Sequence, residues 1–185
     1  MQRFDDGAAV DAAAAEARLA LAELTLLEGD AAGAEALARE AEEVFRVAGF
    51  ADKVALAVSV LARTARARGQ TAEARPWAER LRSRAEESAD AAVGFADGML
   101  AARLQAADGD VDGALAALDA LVAEAEDGGR RLDAFEARLA AGETARTAGR
   151  VEAARVRLTE LRGEAEAAGV RGIVRRVDAL AEGAR

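Results

Sequence analysis

The chain has 185 residues, enough for one domain with a buried core, and 52% of them are hydrophobic. It contains one proline, no cysteine and no histidine, and its net charge is −9. This charge argues against nucleic acid as the main partner, because phosphate binding rests on lysine and arginine. The commonest catalytic base and the most nucleophilic side chain are both missing, so no catalytic residue is predicted and an enzyme is not expected.

No stretch of the sequence approaches the roughly 18 consecutive apolar residues of a membrane-spanning helix. The start of the chain also lacks the basic and then apolar pattern of a signal sequence. We therefore expect a cytoplasmic protein, or a piece of a longer one, that makes no membrane contact. Alanine supplies most of the hydrophobic residues, and it has the highest helix propensity of all residue types, which predicts an all-α fold.

Regularly spaced glycines divide the sequence into predicted helices. Residues 1–10 hold no periodic pattern and are predicted to be frayed. Beyond them, one series of glycines stands at Gly29, Gly69, Gly109 and Gly149, and a second at Gly49, Gly129 and Gly169, with Ala89 in the missing place. Helix breakers at such equal intervals predict eight helices of about 17 residues, joined by tight turns.

The same spacing defines an internal repeat. The sequence EARLA occurs at 16–20 and again at 136–140, which is three repeat periods later, and an alanine follows each glycine of the first series at the fifth position. We therefore predict an α-solenoid of four 40-residue helix-turn-helix repeats, at 11–50, 51–90, 91–130 and 131–170. Residues 171–185 are predicted to form a C-terminal capping helix that packs on repeat four through Ile173, Val174, Val177 and Leu180.

The turns between the paired helices carry a family resemblance. Their sequences, EGDAAGA, RGQTAEA, DGDVDGA and AGRVEAA, resemble the inter-helix turn of tetratricopeptide repeats. Ala141-Gly142 is similar to the Leu-Gly pair of that family, and Ala154 with Leu158 is similar to its A-x3-F pair. The period is longer than is usual for that family and the closing proline is absent, which is similar to the longer tetratricopeptide-like repeats of bacterial regulatory and signalling proteins. The resemblance implies a protein- or peptide-binding scaffold whose first helices line a concave groove.

Two sets of positions on the first helices would point into this groove. They are occupied by Glu23, Arg63, Arg103 and Glu143, and, three residues further on, by Arg66 and Arg146. An arginine centre of this kind predicts a protein or peptide partner that offers an acidic side chain or a C-terminal carboxylate. The alternative interpretation is that the first set forms only ion pairs between neighbouring repeats. Repeat two, with eight basic and six acidic residues, is the net-positive repeat among the four.

Three further features have a structural interpretation. The sequence DGDVDGALAALD, at 108–119, approaches a calcium-binding EF-hand loop. It coincides with a repeat turn, so Asp110 and Asp112 are predicted as turn and N-cap residues and no metal site is expected. Trp77 has the phase of the inward stripe, which favours a core role over ligand stacking. Gly94 and Gly98 are expected to permit a close approach between helices.

Two other functions remain open at this stage. A small-ligand-sensing regulatory domain would be favoured by a deep pocket lined by Trp77. A self-associating or designed repeat protein would have no ligand at all. No cofactor is expected in either case.

Overall fold

The fold is all-α. The computed structural model describes residues 2–182, and of residues 2–10 and 182 it describes the backbone only. This part of the chain contains nine α-helices and no strand. The helices are α1 (Gln2–Leu27), α2 (Ala31–Ala48), α3 (Ala51–Ala67), α4 (Thr71–Glu87), α5 (Ala91–Ala107), α6 (Val111–Asp127), α7 (Arg131–Thr147), α8 (Val151–Ala167) and α9 (Arg171–Glu182).

Both ends of the chain differ slightly from the predicted boundaries. Helix α1 begins at Gln2, so helical backbone covers residues 2–10, for which we predicted fraying. Helix α9 ends at Glu182, and the remainder of the predicted capping segment lies outside the described residues.

The helices recur at half of the predicted repeat period. From α2 at Ala31 to α9 at Arg171, the helix starts follow one another in equal steps of about one helix and one turn. All seven predicted turn glycines have a positive φ, between 68° and 93°. A left-handed residue closes a helix, and glycine adopts that conformation without a steric penalty. Near Ala89 no left-handed glycine is present, and α4 ends at Glu87 with Ser88 as its C-cap, which is extended with φ −94° and ψ 139°.

The predicted 40-residue period, which spans two helices, is visible in the burial and the ion pairs of the side chains. The first helices α3 and α7 bury residues around most of their circumference, whereas the second helices bury one face. Ion pairs join equivalent parts of neighbouring first helices, as in Glu23–Arg63, and of neighbouring second helices, as in Asp119–Arg157. Within each part of the molecule, one helix pair therefore stacks on the next.

The chain divides into two compact units, residues 1–100 and 101–185. In the first unit, α1 packs on α2, α2 on α3 and α3 on α4, and α1 also contacts α3. Its core consists of small side chains around a few larger ones. One cluster contains Ala15, Ala41 and Phe45, and a second joins α1, α2 and α3 through Ala22, Ala38, Val60 and Leu61.

The second unit has its largest described apolar cluster at the C-terminal end. Helices α6 to α9 pack in sequence, and α7 also contacts α9. Ile173 and Val177 of α9 are buried against α7 and α8, and Val174 and Leu180 pack at the edge of the same cluster. Its other buried members are Phe135, Leu139, Leu158, Leu161 and Ala165. The predicted packing of α9 on repeat four is confirmed.

A close helix approach lies at Gly142, which was not among the glycines predicted for this role. Gly94 is exposed, and a Cβ placed there would meet nothing within 4 Å, so the prediction for this residue is wrong. A Cβ at Gly142 would instead lie 2.7 Å from Cγ of Leu158 and closer still to one of its methyl groups. The small residue is therefore required where α7 crosses α8, which is where the sequence is similar to the Leu-Gly pair.

Candidate functional site

The predicted groove residues form two ion pairs between neighbouring first helices. Arg63 donates from Nη1 to Oε1 of Glu23 at 3.1 Å in the first unit. In the second unit, Nη2 of Arg103 lies 3.7 Å from a carboxylate oxygen of Glu143. These are the inter-repeat pairs that the alternative interpretation predicted. An exposed pair is worth about 0–1 kcal/mol, so a ligand carboxylate could replace Glu23, whose side chain is 51% exposed; the Arg103 side chain is only 13% exposed.

The two remaining arginines of the predicted set occupy equivalent places. Arg66 and Arg146 are half-buried in the last turns of α3 and α7, and in each the Nε atom is shielded from solvent. Arg63 and Arg66 belong to the first unit, and Arg103 and Arg146 to the second. The convergence of these arginines on one centre therefore stays a prediction.

A cleft in the first unit brings together basic residues that we did not predict. It has a volume of about 430 Å³ and lies between the C-terminal halves of α2 and α4, above the N-terminal half of α3. We call it the arginine cleft. It is lined by Phe45, Arg46, Gly49, Ala51, Val54, Ala55, Val58, Arg80, Ser83, Arg84 and Glu87.

Arginines stand at the sides of the arginine cleft, and two of them are held by glutamates on their own helices. Arg46 donates to Glu43 at 2.6 Å, and Arg84 donates to Glu87 at 2.7 Å. The Arg46 guanidinium lowers the pKa of the Glu43 carboxyl, mainly through this hydrogen bond. Both pairs are three residues apart on one helix and exposed, an arrangement that stabilises a helix by a few tenths of a kcal/mol.

The floor of the arginine cleft is apolar. Phe45, Ala55 and Val58 are buried beneath it, with exposures of 0%, 1% and 2%. Arginines around an apolar floor suit a ligand that carries both a carboxylate and a hydrophobic group, because each part then meets a complementary surface.

The second unit has a cleft at the equivalent place with the opposite charge. It has a volume of about 370 Å³ and lies between α6 and α8. Two repeats after the three arginines of the arginine cleft, the equivalent positions of this acidic cleft are glutamates. The equivalent pairs are Arg46 and Glu126, Arg80 and Glu160, and Arg84 and Glu164.

One of the lining residues of the acidic cleft is an arginine that binds two of its glutamates. Arg138 stands where the arginine cleft has Val58. It donates to Glu126 at 2.8 Å and makes a second hydrogen bond to Glu164. The two glutamates are therefore engaged by a central arginine, whereas the middle of the arginine cleft is apolar. The charge reversal could have been found by aligning the sequence with itself at a shift of two repeats.

Trp77 lies beside the arginine cleft and does not line it. The ring is partly buried against the α1–α2–α3 cluster, which confirms its predicted core role. The guanidinium carbon of Arg80 lies 4.9 Å from the ring centroid, and that of Arg39 lies 5.6 Å from it. Arg80 also donates to Glu42 at 2.9 Å. These contacts hold Arg80 in place at the edge of the cleft.

The EF-hand-like segment forms a repeat turn, as predicted. Asp110 is the N-cap of α6 and accepts a hydrogen bond from the backbone N–H of Gly113 at 3.0 Å. Asp112 accepts from Arg150 at 2.6 Å, and Asp119 accepts from Arg157 at 2.6 Å. The hydrogen bond from the Gln105 amide lowers the pKa of Asp110. In the described part of the chain, no three acidic, histidine or cysteine side chains are grouped as a metal site would require.

Comparison with known proteins does not assign the chain to a family. No family model, curated protein or solved structure matches it. None of the helices within residues 2–182 combines the length and the apolar character that crossing a membrane requires.

Proposed function

We propose that this chain is a protein- or peptide-binding scaffold with tetratricopeptide-like repeats, and that it takes an acidic segment of its partner at the arginine cleft. The observation that carries the proposal is the combination of Arg46, Arg80 and Arg84 with an apolar floor. By the resemblance of the turns, we place the scaffold in a bacterial signalling or regulatory protein of the cytoplasm. The first-helix arginines, Arg63, Arg66 and Arg103, are its second candidate surface.

The arginines of the cleft can exchange their present partners for a ligand. The side chains of Arg46 and Arg84 are 58% and 45% exposed, so the ion pairs that hold them are weak. Hydrogen bonds to a ligand carboxylate that is partly withdrawn from water would each be worth about 1.5–3 kcal/mol. A bidentate carboxylate seated between these arginines would therefore compete well with Glu43 and Glu87.

A small molecule is the second candidate ligand for the arginine cleft, because the volume of the cleft is suitable. Its volume of about 430 Å³ lies within the range of about 300–1,000 Å³ that is usual for small-ligand sites. A pocket lined by Trp77 would favour a ligand-sensing domain, and Trp77 does not line this one. A peptide is favoured, because it can place a hydrophobic side chain on the floor while its acidic neighbours reach the rim.

The test is fluorescence anisotropy with a labelled peptide, Glu-Glu-Phe-Glu-Glu, and its glutamine counterpart. We expect the acidic peptide to bind at least tenfold more tightly than the neutral one, and the difference to shrink with added salt. Replacing Arg46→Gln together with Arg84→Gln should weaken binding of the acidic peptide at least tenfold. Arg155→Gln is the matched control, because Arg155 makes an exposed pair of the same kind with Glu152 on α8.

A second pair of variants separates the two candidate surfaces. Arg63→Glu with Arg103→Glu alters the first-helix arginines and leaves the arginine cleft intact. If this pair abolishes binding and the cleft variants do not, the binding surface is on the first helices. If neither pair changes the affinity, the proposal for both surfaces is wrong. Circular dichroism on each variant confirms that the helices are retained.

A further inference from the structure

Helix α1 exposes an apolar stripe on one face. Leu21, Leu24 and Leu27 are 51%, 58% and 52% exposed, and Ala17 and Ala20 continue the same face toward the N-terminus. We call these five residues the α1 stripe. They lie at positions 17, 20, 21, 24 and 27, and residues three or four apart share one side of a helix. Contiguous apolar surface of this kind marks an interaction site more often than scattered exposed side chains do.

The equivalent face of the other first helices is covered. One repeat after the α1 stripe, four of the five equivalent residues of α3 are buried, namely Ala57, Val60, Leu61 and Thr64, and Ala67 at the end of the helix is exposed. The cover comes from the two preceding helices, since Val60 and Leu61 share a cluster with Ala38 of α2 and with Ala22 of α1.

The same relation holds in the second unit. There, Ala137, Ala140 and Ala141 of α7 are buried, Thr144 is partly buried and Thr147 is exposed, and the preceding helix α6 packs on α7. The fold itself therefore shows what kind of element covers this face, namely an amphipathic helix packed as α2 packs on α3.

The outer face of α9 differs from the α1 stripe. Helix α9 buries Ile173 and Val177 and turns Arg171 and Arg175 to solvent. A polar outer face is what a terminal element of a solenoid needs in order to remain soluble. The α1 stripe lacks that polar character, so it is built as a surface for another helix rather than as a cap.

Charge at the edge of the stripe specifies the occupant further. In α3, Arg68 donates to Glu35 of the covering helix α2 at 2.5 Å. The residue one repeat before Arg68 is Glu28, which is exposed at the end of α1. A helix that docks on α1 in the same way would therefore face a carboxylate where α2 faces an arginine, and it should carry Arg or Lys at the position of Glu35.

The same charges disfavour a second copy of this chain as the occupant. Each copy carries a net charge of −9, and two α1 helices that faced each other would both bring Glu28 to the rim, whereas Glu16 and Glu23 are engaged by Lys53 and Arg63 of α3. Like charges at the rim of an interface suppress association.

We propose that the α1 stripe is a second docking surface, distinct from the arginine cleft, for an amphipathic helix of a partner protein. That helix has a small-residue apolar stripe like that of α2 and a basic residue near its N-terminus. It lies on α1 as α2 lies on α3.

The probe is a labelled peptide with the sequence of residues 30–49 and the change Glu35→Arg. A staple between positions 39 and 43, which are exposed in α2, keeps it helical. We expect this peptide to bind the full chain at least fivefold more tightly than the parent peptide that keeps Glu35. In the Glu28→Arg variant of the protein, the preference between the two peptides should reverse.

Leu24→Glu should weaken binding of the Glu35→Arg peptide at least tenfold. The matched control is Leu132→Glu, because Leu132 is 63% exposed on another first helix, and it should have no effect. The variants of the arginine cleft should also leave this binding unchanged. A negative result for one of the two proposals therefore does not decide the other. Binding that ignores Leu24→Glu or Glu28→Arg, or no binding by either peptide, would overturn the inference.

Sedimentation velocity across a concentration series tests whether a second copy of this chain covers the α1 stripe. A dimer that Leu24→Glu dissociates would show that a second copy covers the stripe, which contradicts the proposed partner. A monomer at all concentrations agrees with it.

Discussion

Replacing Gly142→Ala tests the crossing of α7 and α8, which is where the fold leaves least room for a side chain. A Cβ at this position would lie 2.7 Å from Cγ of Leu158, and Leu158 is only 8% exposed. The same crossing in repeat one is filled by Ala22 and Ala38, both fully buried. Gly with Leu and Ala with Ala are therefore two alternative ways of filling one site.

The expected magnitude follows from two opposing effects. Overpacking a core costs about 1–3 kcal/mol, whereas alanine is more favourable than glycine inside a helix by about 1 kcal/mol. Gly142→Ala should therefore destabilise the protein by about 0–2 kcal/mol. Leu158→Ala alone should cost about 2–5 kcal/mol through lost burial and a cavity. In the double variant the clash disappears, so the two changes should couple favourably by about 1–3 kcal/mol.

Chemical denaturation followed by far-ultraviolet circular dichroism measures the free energy of unfolding of the unchanged protein, the two single variants and the double variant. The control is Gly163→Ala on α8, where an added Cβ meets nothing within 4 Å. It should stabilise the protein by about 1 kcal/mol. If Gly142→Ala stabilises the protein as much as this control does, and its effect adds simply to that of Leu158→Ala, the close approach of α7 and α8 is not present in solution.

Three further predictions concern pH, calcium and the C-terminal helix. Burial raises the pKa of Asp97, so the stability that its protonated form contributes is present at acid pH and lost as the pH rises through the raised pKa. Asp97→Asn should therefore increase Tm at neutral pH, and the gain should shrink at acid pH; an equal gain at both would contradict the reasoning. Millimolar calcium should change neither helicity nor Tm, because 108–110 is a repeat turn and 111–119 is the start of α6; a saturable calorimetric signal that Asp110→Ala with Asp112→Ala removes would contradict this. Deleting the chain from Arg171 onward should lower Tm or cause aggregation, since it uncovers the apolar cluster under α9; an unchanged melting curve would show that α9 is not a cap.

The sequence alone was sufficient for the helices and for most of their ends, although α1 begins earlier than predicted. Alanine-rich segments favour helix through local backbone propensity, and a glycine such as Gly109 ends a helix through its own φ preference. Both effects act within a few residues, so their spacing could be read directly from the chain. The amphipathic pattern of α9 was equally local, and the burial of Ile173 and Val177 followed from it.

Only the tertiary structure decided which side chains are available to a partner. The six predicted groove residues were chosen by their phase on the helices, and phase does not show that Arg63 is engaged by Glu23 on the neighbouring first helix. The arginine cleft is formed by residues from α2, α3 and α4, so its existence depends on how those helices pack. The α1 stripe and its mostly buried counterpart in α3 have similar apolar sequences, and they differ because α1 and α2 cover α3 while no described helix covers α1 on that face. Exposure is a property of the neighbouring helix, which local sequence does not encode.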